Sequence, residues 1–244
     1  MPAKNKTKPK PTTQSFEEPK EVNKKDLIRN IITKKPKEKF LNENQKKYYQ
    51  LLKEKEITIC SGSAGTGKSH LALRAAIDLI LEPQTPYEKL IILRPAVEGG
   101  EQRLGYLKGT LREKLEPYMY PSFYLLNKIL GDGIAAKLEF FNIIEIMSLS
   151  HVRGISIDGA ILVVEEAQNC TPSEIKLILT RIGYNSKFFI SGDIEQSDKY
   201  KNKSDSGLYD SMQRLKGIEE IGFFEFTEED IVRNPIISKI LKKY

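Results

Sequence analysis

Residues 62 to 69 read Gly-Ser-Ala-Gly-Thr-Gly-Lys-Ser and match the pattern G-x-x-x-x-G-K-[ST] without a mismatch. Gly62, Gly65 and Gly67 let the backbone curl, so that successive N–H groups and the start of the next helix surround an anionic phosphate. Ser63, Ala64 and Thr66 fill the turn and His70 falls at the start of that helix, which makes residues 62 to 70 a candidate nucleotide-binding run. Lys68 supplies a point charge toward the β and γ phosphates of a nucleoside triphosphate, and Ser69 offers a hydroxyl to Mg²⁺. A second chemical element lies at residues 161 to 169, Ile-Leu-Val-Val-Glu-Glu-Ala-Gln-Asn, where four apolar residues run into two adjacent carboxylates. Alone, this is equally a buried strand whose polar end opens a loop. Next to a phosphate loop it gains a use. In phosphate-loop proteins a strand beside the first ends in a carboxylate that orients the Mg²⁺ shell, and helicase-like and RecA-like members follow it with a Glu that polarises the attacking water. Glu165 takes the first role and Glu166 the second.

Two further candidates complete the site. Asp193 and Gln196 end the run Ser-Gly-Asp-Ile-Glu-Gln, where a sensor of the γ phosphate would sit; an ordinary strand-to-turn ending is the plain alternative. Gln45 precedes Gly62 by 17 residues, where helicase-like ATPases often place a glutamine that reads the adenine edge; a solvent-facing helical glutamine is the alternative.

The elements that must hold these residues are legible as runs. Residues 56 to 60 are strand-like, and the helix after the phosphate loop is apolar and Ala-rich, as a mostly buried helix requires. Further strands are expected in Lys-Leu-Ile-Ile-Leu-Arg-Pro, Phe-Phe-Asn-Ile-Ile-Glu-Ile-Met, Ala-Ile-Leu-Val-Val-Glu-Glu, Ser-Lys-Phe-Phe-Ile-Ser-Gly-Asp and Glu-Ile-Gly-Phe-Phe-Glu-Phe. Helix potential runs from 101 to 130. Another helix starts at Thr171, with Pro172 in its first turn, Glu174 at capping-box spacing and Gly183 as its stop. Apolar strands alternating with helices predict an α/β fold, a parallel sheet covered on both faces, with ligands at the carboxyl ends of the strands.

Composition bounds the rest. The 244 residues, 39% hydrophobic, suffice for one sizeable core. Residues 1 to 40 hold 12 Lys/Arg against 5 Asp/Glu, a net of +7 within a total of +6, so the basic balance belongs to this segment. We expect residues 1–39 to be a basic, disordered tail, too poor in apolar residues to offset its ordering entropy, within which Asp-Leu-Ile-Arg-Asn-Ile-Ile offers a short docking element, and residues 40–244 to be the domain. The tail serves equally as a nucleic-acid arm acting by counterion release or as a solubilising segment. Cys60 and Cys170 show neither disulfide nor zinc spacing and are expected to be buried thiols. No run approaches the roughly 18 apolar residues that cross a bilayer, and no apolar leader opens the chain, so no membrane partner and a cytoplasmic location are expected. Asn202-Lys203-Ser204-Asp205 spells a guanine-reading motif but follows no apolar strand, which argues against GTP.

Taken in order, GSAGTGKSHLAL, ILRPAVEGGEQRLGYLKG, HVRG, EEAQNCTPSEIKLILTRIG, SGDIEQSD and DIVRNPIISKIL resemble the PhoH-like ATPases over roughly residues 40 to 244. The resemblance implies a phosphate-loop NTPase with a single RecA-like domain, related to superfamily 1 helicases, that binds ATP and Mg²⁺ and hydrolyses ATP. It further implies a ring-shaped hexamer and a link to RNA or single-stranded nucleic acid. Some relatives add a nuclease domain that has no counterpart in these residues.

Departures from the family pattern bear on mechanism. The usual Asp-Glu pair is Glu165-Glu166, and Glu reaches further by about 1.5 Å. Mg²⁺ demands ligands at about 2.0–2.1 Å. Either Glu165 contacts the metal directly in place of a bridging water, or the site is looser and turnover slower. The usual Arg-Gly-Arg-Thr is Arg153-Gly-Ile-Ser, leaving Arg153 as a candidate contact to phosphate or RNA. Arg233 and Arg181 are candidates to reach the γ phosphate, in cis or from a neighbouring subunit. Three functions fit: an ATP-driven remodeller of RNA or single strands, a slow ATP-dependent switch, and an RNA-cleaving ATPase, which needs a carboxylate cluster not identified in the sequence.

Overall fold

Strands apolar on both faces need cover on both sides. In the computed structural model, which describes residues 24–33, 39–95, 111–196, 202 and 205–232, six strands form one sheet, all parallel. They are β1 (Ile57–Ser61), β2 (Lys89–Leu93), β3 (Ile144–Met147), β4 (Ala160–Val164), β5 (Lys187–Gly192) and β6 (Ile221–Glu225). Their spatial order is β3-β2-β4-β5-β1-β6. The order corrects one expectation. The strand carrying the carboxylates, β4, is not beside β1; β5 lies between them and pairs with both.

The helices are α1 (Lys24–Ile31), α2 (Glu43–Glu54), α3 (Lys68–Ile80), α4 (Leu111–Leu130), α5 (Ile134–Phe140), α6 (Leu149–Val152), α7 (Pro172–Leu179) and α8 (Gly207–Arg214). Strand side chains alternate between faces. Leu90, Ile92, Ile161, Val163 and Phe189 pack under α1 to α5, while Ile91, Leu93, Leu162, Val164, Phe188 and Ile190 pack under α6 to α8. All five residues of β4 are buried, which explains why its sequence is a continuous apolar run.

Local signals set several ends. Asn42 caps α2, its Oδ1 accepting from Gln45 N at 2.8 Å. Thr171 and Glu174 form the expected reciprocal box on α7. That helix ends at Leu179, before Gly183, so the glycine is not its stop. A Cβ at Gly183 would overlap Asp158 Oδ1, so the glycine there permits close approach between segments. The third strand is also shorter than expected, because Phe140 closes α5, Phe141 is its C-cap and Asn142 takes a left-handed φ of 54°. The docking element in the N-terminal segment is α1. Ile28, Ile31 and Ile32 are buried in the core and Lys25 Nζ donates to Thr85 O at 2.7 Å, so residues 24–33 pack with the body and the expected tail to residue 39 does not describe them. Cys60 and Cys170 are buried thiols that form no disulfide. Among the described residues no helix is long and apolar enough to cross a membrane.

Candidate active site

Parallel strands bring the ends of β1, β4 and β5 to one edge, and register fixes their relative heights. Ser61 pairs with Gly192, Val164 pairs with Ile190, and Gly62 N donates to Gly192 O at 3.2 Å. The phosphate loop, the Glu165-Glu166 pair and Asp193 therefore share an edge although about 130 residues separate the first from the last in sequence.

At the loop, Gly67 has φ 97°, a conformation costly for residues with a Cβ, and a Cβ there would meet Gln45 Nε2 at 2.9 Å. The turn releases the chain into α3, whose first N–H groups have no partner within the helix and form an anion-binding end. Lys68 Nζ donates to Gly62 O and, at 2.9 Å, to Ser63 O, so its ammonium is folded over the loop. Thr66 is buried and its Oγ1 donates to Ser63 O at 3.0 Å, bracing the turn from behind.

A cavity of about 680 Å³ opens over this loop. It is lined by Gln45, Ala64, Gly65, Gly67, Lys68, Ser69, His70, Glu165 and Glu166, together with Arg94, Lys128 and Val232. Gly62, Ser63 and Thr66 shape the loop without lining the cavity. Gln45 is 4% exposed, not solvent-facing, and its amide is committed: Oε1 accepts from Leu41 N at 2.8 Å and Nε2 donates to Thr66 O at 2.9 Å. Gln45 thus ties α2 to the phosphate loop, and reading an adenine edge must share these bonds. Asp230 secures the same corner, accepting from Asn44 Nδ2 at 2.9 Å.

The two glutamates differ sharply. Glu165 is buried, its backbone N donating to Leu93 O at 3.0 Å and its Oε2 accepting from the buried Ser122 hydroxyl on α4. Glu166 is partly exposed and sits at φ 53°, a left-handed conformation uncommon outside glycine. Its carboxylate meets Arg94 at 3.3 Å and accepts from Gln168 Nε2 at 2.7 Å.

Gln168 joins the remaining parts. Besides Glu166, its Nε2 donates to Gln196 O at 3.3 Å, and its Oε1 accepts from Asp193 N at 3.0 Å. A Cβ at Gly192 would overlap Gln168 Oε1, so a glycine before Asp193 is what lets Gln168 close on it. Asp193 is 6% exposed; Oδ1 accepts from Glu195 N at 3.0 Å, while Oδ2 is buried without a partner among the described residues. Burial pushes its carboxyl up from the ordinary range, opposed by N–H donation from Glu195 and by the Lys68 charge. The Gln196 side chain is exposed, and its backbone is what Gln168 holds.

The arginines divide. Arg153 is exposed and does not line the cavity. Arg181 follows α7 near the amino-terminal edge of the sheet, where its carbonyl accepts from Ile157 N at 2.9 Å just ahead of β4. It is at the opposite edge from the phosphate loop, which removes its role in cis. Arg233 lies outside the described residues; its neighbour Val232 lines the cavity and donates from N to Gly65 O at 3.1 Å. In the guanine-like motif, Asn202 and Asp205 bond each other at 3.3 Å, and neither lines the cavity.

No role for Arg94, Ser122 or Gln168 follows from the sequence motifs. Arg94 carried a signal, a cation immediately after a buried strand. Gln168 stood two residues past Glu166. Ser122 carried none, because only the packing of α4 brings it to β4.

The residues fit a divalent cation chemically: a hydroxyl, Ser69, and a carboxylate, Glu165, face one cavity, and Asp193, which feels the Lys68 charge, has a buried oxygen without a partner among the described residues. Fold and site define a P-loop α/β protein of RecA-like architecture. The family model for the PhoH-like protein matches residues 38–244, and the chain belongs to that family. The PhoH-like protein of Bacillus subtilis (strain 168) is 40% identical over 200 residues, 82% of this chain and 61% of the relative. Protein PhoH of Escherichia coli (strain K12) is 30% identical over 208 residues, 83% of this chain and 57% of the relative. The chain thus spans about three fifths of the length of these curated relatives. Among solved structures, the large terminase of a thermophilic bacteriophage in complex with ADP overlaps with TM-score 0.44 at 12% identity, over 82% of this chain and 49% of the terminase. The Pyrococcus furiosus Hef helicase domain overlaps with TM-score 0.44 at 12% identity, over 83% of this chain and 40% of the other.

Proposed function

We propose that this chain is a Mg²⁺-dependent ATPase that remodels RNA or single-stranded nucleic acid in the manner of a helicase domain, assembled as a homo-oligomeric ring in the cytoplasm. The observation that carries the catalytic part is the convergence of Lys68, Ser69, Glu165 and Glu166 on one cavity. The nucleic-acid and ring parts follow from the family resemblance, with the +7 balance of residues 1 to 40 as a compatible feature.

Lys68 and the start of α3 bind the triphosphate. Ser69 and Glu165 would hold Mg²⁺, which when bound offsets charge on the β and γ phosphates. Ser122 fixes one oxygen of Glu165 and so limits the freedom of the longer side chain. Glu166 orients water and takes its proton, while Gln168 aligns Glu166 with the Asp193 turn. A charge on the γ phosphate from Arg233, in cis or from a neighbour, completes the proposed machinery. One observation favours the slow-switch reading: Glu166 is held by Arg94 and Gln168.

Steady-state ATP hydrolysis with Mg²⁺, with and without single-stranded RNA, tests the proposal. Lys68→Ala should lose nucleotide binding, and Glu166→Gln should bind ATP without hydrolysing it. Stimulation by RNA supports the remodeller, tight ATP binding with negligible turnover in both conditions supports the switch, and normal turnover by Lys68→Ala would sink the site assignment.

A further inference from the structure

Helix α4 presents two different faces. Pro121, Leu125 and Lys128 line the nucleotide cavity, whereas Tyr120 and Tyr124, one turn apart, do not. These tyrosines are 68% and 49% exposed, large values for aromatic rings. Their rings lie 6.4 Å apart and 21° from parallel, and Lys128 Nζ sits 4.6 Å over the Tyr124 ring. The row therefore runs ring, ring, ammonium, and ends at the cavity rim. Residues 119–130 contain no carboxylate, and Lys128 is their charged side chain. At the rim, burial holds the His70 imidazole below its ordinary range, and the charges of Arg74 and Lys128 add to that lowering.

An ordered aromatic pair costs little entropy to present and offers π faces to any base, and a neighbouring ammonium suits the backbone phosphate. A mononucleotide seated on the phosphate loop does not account for rings outside the cavity. A polymer crossing the rim does. In a duplex the base faces are already stacked and unavailable. We infer that Tyr120, Tyr124 and Lys128 form a base-stacking platform for a single-stranded polynucleotide at the edge of the nucleotide cavity. The inference rests on the proposed action on nucleic acid and adds the surface that carries it out. Lys128 touches both sites, so strand and nucleotide are read by one helix.

The test is binding of a labelled oligouridylate by fluorescence anisotropy, using the full chain and its Tyr120→Ala/Tyr124→Ala variant, with a fluorescent ATP analogue as the measure of an intact cavity. The double variant is expected to bind the oligouridylate about ten- to a hundredfold more weakly and the ATP analogue as before. Tyr120→Trp/Tyr124→Trp, which keeps stacking, should retain strand affinity, and Lys128→Ala should reduce its salt dependence. Equal affinity of wild type and the alanine variant overturns the platform while leaving nucleic-acid action standing. Absence of binding by wild type overturns both. A change in oligomeric state with unchanged strand affinity would make the tyrosines a subunit contact and overturn the platform. Loss of both ligands in the alanine variant signals misfolding, and the tryptophan pair then decides: retained strand binding upholds the platform and lost binding with an intact cavity overturns it.

Discussion

Cutting Gln168 to alanine should disconnect the catalytic edge while leaving the phosphate loop in place. Gln168 is 2% exposed and makes three bonds, to Glu166 Oε2 at 2.7 Å, to Gln196 O at 3.3 Å and from Asp193 N at 3.0 Å. Glu166 is partly exposed, so water replaces that partner at small cost. Asp193 N is buried and its lost acceptor costs about 1–3 kcal/mol. Adding the packing lost around the truncated side chain gives about 3 kcal/mol in all. For a chain of this size each kcal/mol moves Tm by about 2–4 °C, so a fall of about 6–12 °C is expected in a thermal melt. Turnover should fall with ATP affinity retained, because Gln168 does not line the cavity.

Gly192→Ala reaches the same contact from the other side. Its Cβ would overlap Gln168 Oε1 and press on Leu208 Cδ2 at 2.8 Å and Gln168 N at 2.9 Å. The double variant removes the first clash, so the two losses should be sub-additive by about 1 kcal/mol or more. Losses that add within about 0.5 kcal/mol would refute a coupling through Gln168. So would a Gln168→Ala protein with wild-type Tm and turnover.

Other perturbations separate the remaining roles. Asp193→Asn should abolish hydrolysis yet raise Tm at neutral pH. The folded carboxyl is raised above its ordinary 3.8, so the folded state binds more protons than the unfolded chain between 3.8 and the raised value, and the wild type loses stability as pH climbs through that window. Asparagine has no such titration, and its advantage in Tm should vanish below about pH 3.8; a variant less stable at neutral pH would refute the burial argument. Ser122→Ala should raise the half-saturating Mg²⁺ about tenfold, with Mg²⁺-free nucleotide binding unaltered, since a residue that orients a metal ligand typically matters by that order; an unchanged Mg²⁺ requirement would restrict Ser122 to packing. Deleting residues 1–23 should leave the melt unchanged, whereas deleting 1–38 removes α1 with Ile28, Ile31 and Ile32 and should cost about 2–4 kcal/mol by denaturant titration. Equal stability of the two truncations would show that α1 does not support the core.

The phosphate loop is legible in the amino-acid order, because that site is built from eight contiguous residues whose backbone geometry depends on their own glycines. So is the sheet as a set of parallel, doubly covered strands, since burial on both faces writes itself as unbroken apolar runs such as Ile161 to Val164. The capping box at Thr171 is local in the same sense. Tertiary structure decided what depends on pairing across the chain. Strand order is one case: nothing in β1 or β4 says that β5 will insert between them, and that insertion is what lets Gln168 bridge Glu166 to the Asp193 turn. Ser122 is another, 43 residues from the carboxylate it holds. Gln45 shows the limit from the opposite side, since its position was legible but its commitment to Thr66 was not. Local residues fix backbone shape, whereas the partner of a side-chain amide or hydroxyl is fixed by whichever distant segment the packed core delivers to it.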